Sequence, residues 1–194
     1  VKEDVVTVRA NIKILVIQGV LLSGSGTLLF YAMNFTTAIN ATLVNAAQPV
    51  ITTFLAWMLL RDRLNGVQLL GVASALLGIG IMVSRAEWQI IANFSFNMGD
   101  LLVALAIVGY AFYAINLRKL PACLGVFPTL FVILIAGSFF LLPLYIAETV
   151  YVKPVPFAFQ TVGLVIILAV MVSILSMVMW NVANQVIGPG QAAI

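Results

Sequence analysis

The sequence contains no histidine, one cysteine and few charges: lysine, arginine, aspartate and glutamate make up 8% of its 194 residues. Without histidine, imidazole-based catalysis and mixed Cys/His zinc sites are out of reach. The single cysteine, Cys123, excludes an internal disulfide. It stands two residues after Pro121 in a short connection and reads as a small filler residue. A soluble domain carries about 25% charged residues. The charge deficit, with 63% hydrophobic residues and a mean hydropathy of +1.18, defines an all-α integral membrane protein. The pI near 9.3 rests on nine basic residues. In a membrane chain these are topology signals rather than a nucleic-acid surface. The lipid bilayer is therefore the expected surrounding, and no nucleic acid, cofactor or metal is expected as a partner.

What the sequence has is long uncharged runs. Between Lys13 and Arg61 lie 47 uncharged residues, enough for two spans and a tight turn. Six spans are expected: Ile14 to Asn34, Asn40 to Leu60, Val67 to Ser84, Leu101 to Leu117, Val126 to Ala147 and Phe159 to Asn181. Residues 1–13 are polar, and residues 85–97 read as an amphipathic connector at the interface, with Trp88, Phe94 and Phe96. Glu148 to Pro156 reads as a proline-bearing loop. After Gly188-Pro189-Gly190 a seventh segment begins. The chain starts at Val1 and stops inside that segment, so it reads as a piece of a longer protein. With six spans, the tail and alternate loops on its side hold seven basic residues and the other side two, Arg85 and Lys153. That bias predicts a cytoplasmic N-terminal tail.

The second span is the most informative. Its 21 residues are free of charge yet carry Asn45, Gln48 and Pro49 near the middle. Proline removes one backbone donor and blocks one carbonyl, so the helix bends or breaks there. One reading is a kinked packing helix whose amides bond a neighbour. The other is a helix broken beside a substrate cavity near the midplane. In the third span, Gly71/Ala75 and Ser74/Gly78 form small-residue pairs that predict close packing. Ser23-Gly24-Ser25-Gly26 in the first span reads as a packing seam too. The Phe30-Tyr31 pair that ends this span is an interface anchor or a cavity lid. Asp100 suits a helix N-terminus. A weak internal repeat links Phe30-Tyr31-Ala32, with Asn40-Ala41 after it, to Trp180-Asn181, with Gln191-Ala192 after it. The spacing is five spans, and an odd number inverts the second copy.

In order and spacing these segments resemble the EamA-type members of the drug/metabolite transporter superfamily. The matching residues are Phe30-Tyr31-Ala32 through Ala38-Ile39-Asn40-Ala41, Gln48-Pro49, Leu60-Arg61-Asp62-Arg63-Leu64 and Gln68-Leu69-Leu70-Gly71. Gly78-Ile79-Gly80, Gly99-Asp100-Leu101-Leu102 through Tyr110-Ala111, Arg118-Lys119-Leu120 and Gly188-Pro189-Gly190-Gln191-Ala192 extend the likeness. Asp62 stands where a glutamate is usual. The resemblance implies a ten-helix bundle of two inverted five-helix repeats, in a bacterial cytoplasmic (inner) membrane. The six spans here would be helices three to eight, with the start of the ninth. Residues 1–84 would then be the end of the first repeat, 85–98 an interfacial linker and 99–194 the beginning of the second.

Candidate binding residues follow from helical spacing. Thr42, Asn45, Gln48 and Thr52 share one face, Tyr110, Tyr113 and Asn116 another, and Ser173, Ser176, Trp180, Asn181 and Asn184 a third. A polar group facing lipid is costly, so these faces turn inward, to helix–helix hydrogen bonds or to a wet cavity. Gln18, Asn45, Gln48, Pro49, Tyr110, Tyr113, Trp180 and Asn181 are the substrate-binding candidates; none is catalytic. No span has a charge in its interior, which leaves no intramembrane carboxylate for ion coupling. Amides, hydroxyls and aromatic faces suit a neutral, zwitterionic or amphipathic small molecule, such as an amino acid. The reading is a secondary transporter, by resemblance an exporter, working by alternating access, with homodimerisation open. A non-transporting structural or regulatory membrane subunit is the alternative. A membrane enzyme lacks the general base, metal site or nucleophile it would need.

Overall fold

The computed structural model describes residues 2–60, 66–84, 97–121, 124–152 and 158–192. Arg61-Asp62-Arg63, Cys123, Lys153 and the connector over 85–96 lie outside the described residues. Every described element is helical. In chain order they are α1 (Lys2–Ala10), α2 (Ile12–Ala32), α3 (Ala38–Asn45), α4 (Gln48–Leu60), α5 (Gly66–Ser84), α6 (Met98–Arg118) and α7 (Val126–Tyr151). The last expected span is composite: α8 (Phe159–Leu168), a π-helical segment (Ala169–Ser176) and α9 (Met177–Ile187), followed by the short α10 (Pro189–Ala192). Among the described residues, five helical stretches are long and apolar enough to cross a membrane: Ile12–Ala32, Ala38–Leu60, Met98–Arg118, Val126–Tyr151 and Phe159–Ile187. The remaining expected span is present as α5, 19 residues long.

Local chemistry sets these boundaries. The Thr37 side chain accepts a hydrogen bond from the Asn40 N–H at 3.2 Å and caps α3. Asn97 and Asp100 form a reciprocal capping box at the start of α6: each side chain takes the other's backbone N–H, at 3.0 and 2.9 Å. Thr36 donates its hydroxyl to the Asp100 Oδ1 at 2.5 Å, tying the α2–α3 turn to the α6 N-terminus. The Asp100 carboxylate is thus both a helix-end charge, as expected, and a tertiary anchor, fully buried. Gly188, at φ +87°, ends α9.

Three boundaries differ from those expected. The polar N-terminal stretch is a helix, α1. It ends at Asn11, whose amide donates to the Thr7 carbonyl at 2.9 Å. Helix α7 runs through Pro143 to Tyr151 rather than stopping at Ala147. The first four C-terminal residues expected in a loop stay helical because Thr149 donates to the Tyr145 carbonyl at 2.8 Å and the Val152 N–H bonds Glu148 at 2.9 Å. The last span reaches Ile187, not Asn181, and contains the π segment. Ser176 Oγ donates to the Met171 carbonyl at 2.8 Å, five residues back, matching the π-helical spacing.

Helix α2 lies against both α6 and α7, and glycines set how near it comes. A Cβ placed on Gly19 would stand 2.6 Å from the Ile133 carbonyl oxygen and 2.8 Å from the Gly137 nitrogen. Ser23 Oγ occupies the space beside Gly137, and Ser25 Oγ the space beside Gly109. The seam expected in α2 is therefore a real one. In α5 the outcome differs: Gly71 and Gly78 meet no described atom within 4 Å. Leu15, Tyr113, Leu117, Leu120, Leu124 and Ile133 form one buried cluster, and Ala32, Ala41, Val103 and Ile107 a second. The exposed faces of the described helices are rich in leucine, isoleucine, valine and phenylalanine, as an acyl-chain solvent favours.

Candidate functional site

The second span breaks where its amides lie. The Ala46 N–H still bonds Thr42 at 2.9 Å, but the Ala47 N–H turns to Val44 at 3.0 Å, and regular helix resumes with the Ile51 N–H on Ala47 at 2.9 Å. Pro49, the second residue of α4, lacks the N–H that the Asn45 carbonyl would accept in a continuous helix. Asn45 and Gln48 flank this break, and both face a cavity of about 520 Å³. The rest of its wall comes from α2 (Ser23, Ser25, Gly26, Leu29), α6 (Ala106, Ile107, Tyr110), Leu134 of α7, and Val172, Ser173 and Met177 of the last span. Most of these positions fall near the middle of their spans, whereas Leu29 lies in the last turn of α2. The volume lies within the roughly 300–1,000 Å³ of small-molecule sites. No lining residue is charged. The polar groups it offers are two amides, three serine hydroxyls and one phenol.

The structure separates seven of the eight candidates into two groups and leaves Pro49 to act through the backbone. Asn45, Gln48 and Tyr110 line the cavity. Gln18, Tyr113, Trp180 and Asn181 stand behind that wall as its support. The Tyr110 ring lies 5.7 Å from the Tyr113 ring and 5.6 Å from that of Trp180, both tilted, a geometry worth about 0.5–1.5 kcal/mol per pair beyond burial. Tyr113 donates its hydroxyl to the Asn181 Oδ1 at 3.0 Å, and the Asn181 amide donates to the Met177 carbonyl at 2.6 Å. Gln18 donates to the Tyr113 carbonyl at 3.0 Å. Pro49 acts through the backbone break. Asn184 likewise bonds a backbone carbonyl, Ala114, at 3.0 Å. The buried Gln18 Oε1, Thr52 Oγ1, Trp180 Nε1 and Asn184 Oδ1 have no hydrogen-bond partner among the described residues.

The expected polar faces are therefore only partly cavity faces. Thr42 is exposed and bonds its own helix at Ala38, 2.7 Å away. Ser173 reaches the cavity, whereas Ser176 is exposed and spent on the π turn. Sequence reasoning missed Ser23, Ser25 and Gly26 as cavity residues. Ser23 and Ser25 belong to the close-packing seam, whose edge is also the cavity wall, while Gly26 faces open space. Phe30 is 76% exposed yet touches the cavity, consistent with a position at its mouth.

Comparison with known proteins adds a partial likeness. Residues 2–84 match the EamA-like transporter family. The likeness to that family is carried by this stretch. A relative in Bacillus subtilis (strain 168), described as the uncharacterized transporter YyaM, is 23% identical over 189 residues, 96% of this chain. The chain spans 61% of that relative's length. No solved structure matches it.

Proposed function

We propose that this EamA-type chain is part of a secondary transporter that exports small metabolites, such as amino acids or related amphipathic compounds, by alternating access. The observation that carries this reading is the midplane cavity beside the broken second span. Amides at a helix break, a phenol and serine hydroxyls can hold a neutral or zwitterionic solute without a side-chain countercharge. A substrate carboxylate can meet the positive end of α4, whose first N–H groups lack helical acceptors. Supporting side chains keep Tyr110 in place through Tyr113 and Trp180. In the architecture we propose, six spans of this chain contribute to a ten-helix bundle of two inverted repeats. The N-terminal tail lies in the cytoplasm, by the basic-residue bias; a bacterial inner membrane follows the family resemblance. The export direction follows the family resemblance.

The test is the double variant Gln48→Leu/Tyr110→Leu in liposomes loaded with labelled amino acids. Flux falls to background while the purified variant inserts and elutes as the wild type does. Unchanged flux removes this cavity from the transport path.

A further inference from the structure

The two ends of the cavity differ. Leu29 and Phe30 carry its wall into the last turn of α2, where Phe30 is exposed. Toward the start of α2 the wall stops at Leu22, and Gln18 lies one turn beyond it. Helix α6 and the last span run parallel to each other: Tyr110 faces Trp180, and Ala114 faces Asn184. Both run against α2, since Thr36, after its end, meets Asp100 at the start of α6. Their lining residues stop at Tyr110 and Met177, and the turns that follow bring Tyr113, Asn181 and Asn184 to the same end as Gln18. These four side chains are 0–1% exposed. They tie three elements together. Gln18 of α2 donates to the Tyr113 carbonyl, Tyr113 donates to Asn181 in the last span, and Asn184 donates back to the Ala114 carbonyl. One turn further on, Arg118 lies against the turn at Gly188, with its Nη1 3.0 Å from where a Cβ would stand.

We propose that Gln18, Tyr113, Asn181 and Asn184 form the gate between the cavity and the cytoplasm, shut in this structure and wet when open. This rests on the transport reading above and names how that same cavity is closed. A permanent seal between membrane helices is served by small and apolar side chains, which leave no polar atom behind. Here Gln18 Oε1, Asn184 Oδ1 and Trp180 Nε1 are buried without a partner among the described residues. Each is a desolvation cost that the shut form carries and that water removes when the helices part. Amides suit both forms: shut, they bond carbonyls of α6; open, they bond water and the polar groups of a passing solute. The gate therefore lies close to balance, as alternating access requires of an element with two arrangements.

The experiment uses the full-length protein, cleared of native cysteines, in liposomes exposed on one side at a time to a membrane-impermeant thiol reagent. Gln18→Cys is the sole thiol in one form; in another it is Ile133→Cys, equally buried but outside the gate. Gln18→Cys reacts from the side of the N-terminal tail and Ile133→Cys from neither side. Asn184→Leu keeps the bulk of the side chain and removes the amide that water would meet. It slows labelling of Gln18→Cys about tenfold, the loss of open population that one unhydrated amide brings, and lowers flux of labelled amino acids by the same factor. Gln18→Cys that reacts only after denaturation, or no faster than Ile133→Cys, overturns the gate, while amino-acid flux in the same liposomes preserves the transport reading. Labelling and flux unchanged by Asn184→Leu overturn the gate as well. One-sided labelling of Gln18→Cys without any flux upholds the opening and removes transport. If Asn184→Leu fails to insert, Gln18→Cys against Ile133→Cys decides alone.

Discussion

Replacing Gly19 with alanine tests the tertiary arrangement at its tightest point. The added methyl would stand 2.6 Å from the Ile133 carbonyl oxygen, where ordinary contact begins at about 3.4 Å, so α2 and α7 would have to part by about 0.8 Å. The atoms it meets include backbone at Ile133 and Gly137, which cannot swing aside as a side chain can. A gap of that size forfeits roughly a third of each dispersion contact across the seam. With on the order of 50 atom pairs at about 0.15 kcal/mol each, the loss is about 2.5 kcal/mol. That falls within the roughly 1–3 kcal/mol typical of overpacking. Detergent-purified protein followed by size-exclusion chromatography after heating should show a Tm lower by about 5–10 °C, at roughly 2–4 °C per kcal/mol. Two controls share the chemistry but not the contact. At Gly24 the nearest atom, Phe140 Cε1, is 3.6 Å away, and at Gly71 nothing lies within 4 Å. Gly24→Ala and Gly71→Ala should stay within about 2 °C of wild type, since surface-like changes cost under about 0.5 kcal/mol. A Gly19→Ala protein as stable as these controls would refute backbone contact between α2 and α7.

Other outcomes follow from the same geometry. Gly26 lines the cavity and has nothing within 4 Å of its Cβ position; Gly26→Leu should leave Tm near wild type and cut flux at least tenfold in the liposome assay. Thr36→Val removes the donor on the buried Asp100 carboxylate and should cost about 1.5–3 kcal/mol, read as a lower Tm. Tyr113→Phe removes the donor on the Asn181 Oδ1; at about 0.6–1.7 kcal/mol for a bond between membrane helices, its Tm should drop by only a few degrees. Its flux should fall by more than Tm alone explains, because Tyr113 packs behind Tyr110. Equal flux in Tyr113→Phe and wild type would show that the ring alone positions Tyr110.

Much of the second span was legible before any fold. Charge-free length marked it as a membrane crossing, and a proline with no N–H required a bend or a break near Asn45 and Gln48, of which the fold took the break. The capping residue Asp100 was equally readable, because a carboxylate at a helix start follows from local electrostatics. Its bond to Thr36 was not, since the two are 64 residues apart and only packing brings them together. Periodicity put Tyr110 and Tyr113 on one face, but it could not say that one lines the cavity and the other carries it. The π segment escaped too: its chain is as apolar as a regular helix, and the change in hydrogen-bond spacing leaves no trace in composition.

By itself, then, the sequence determined an all-α membrane protein and the place where its second span gives way, beside Pro49. Those properties depend on backbone chemistry and on solvation of single residues, which are local. Only the tertiary structure decided which of the polar residues face open space. That depends on how closely α2 approaches α6 and α7 at Gly19, Gly109 and Gly137, and helix approach is a property of two surfaces at once.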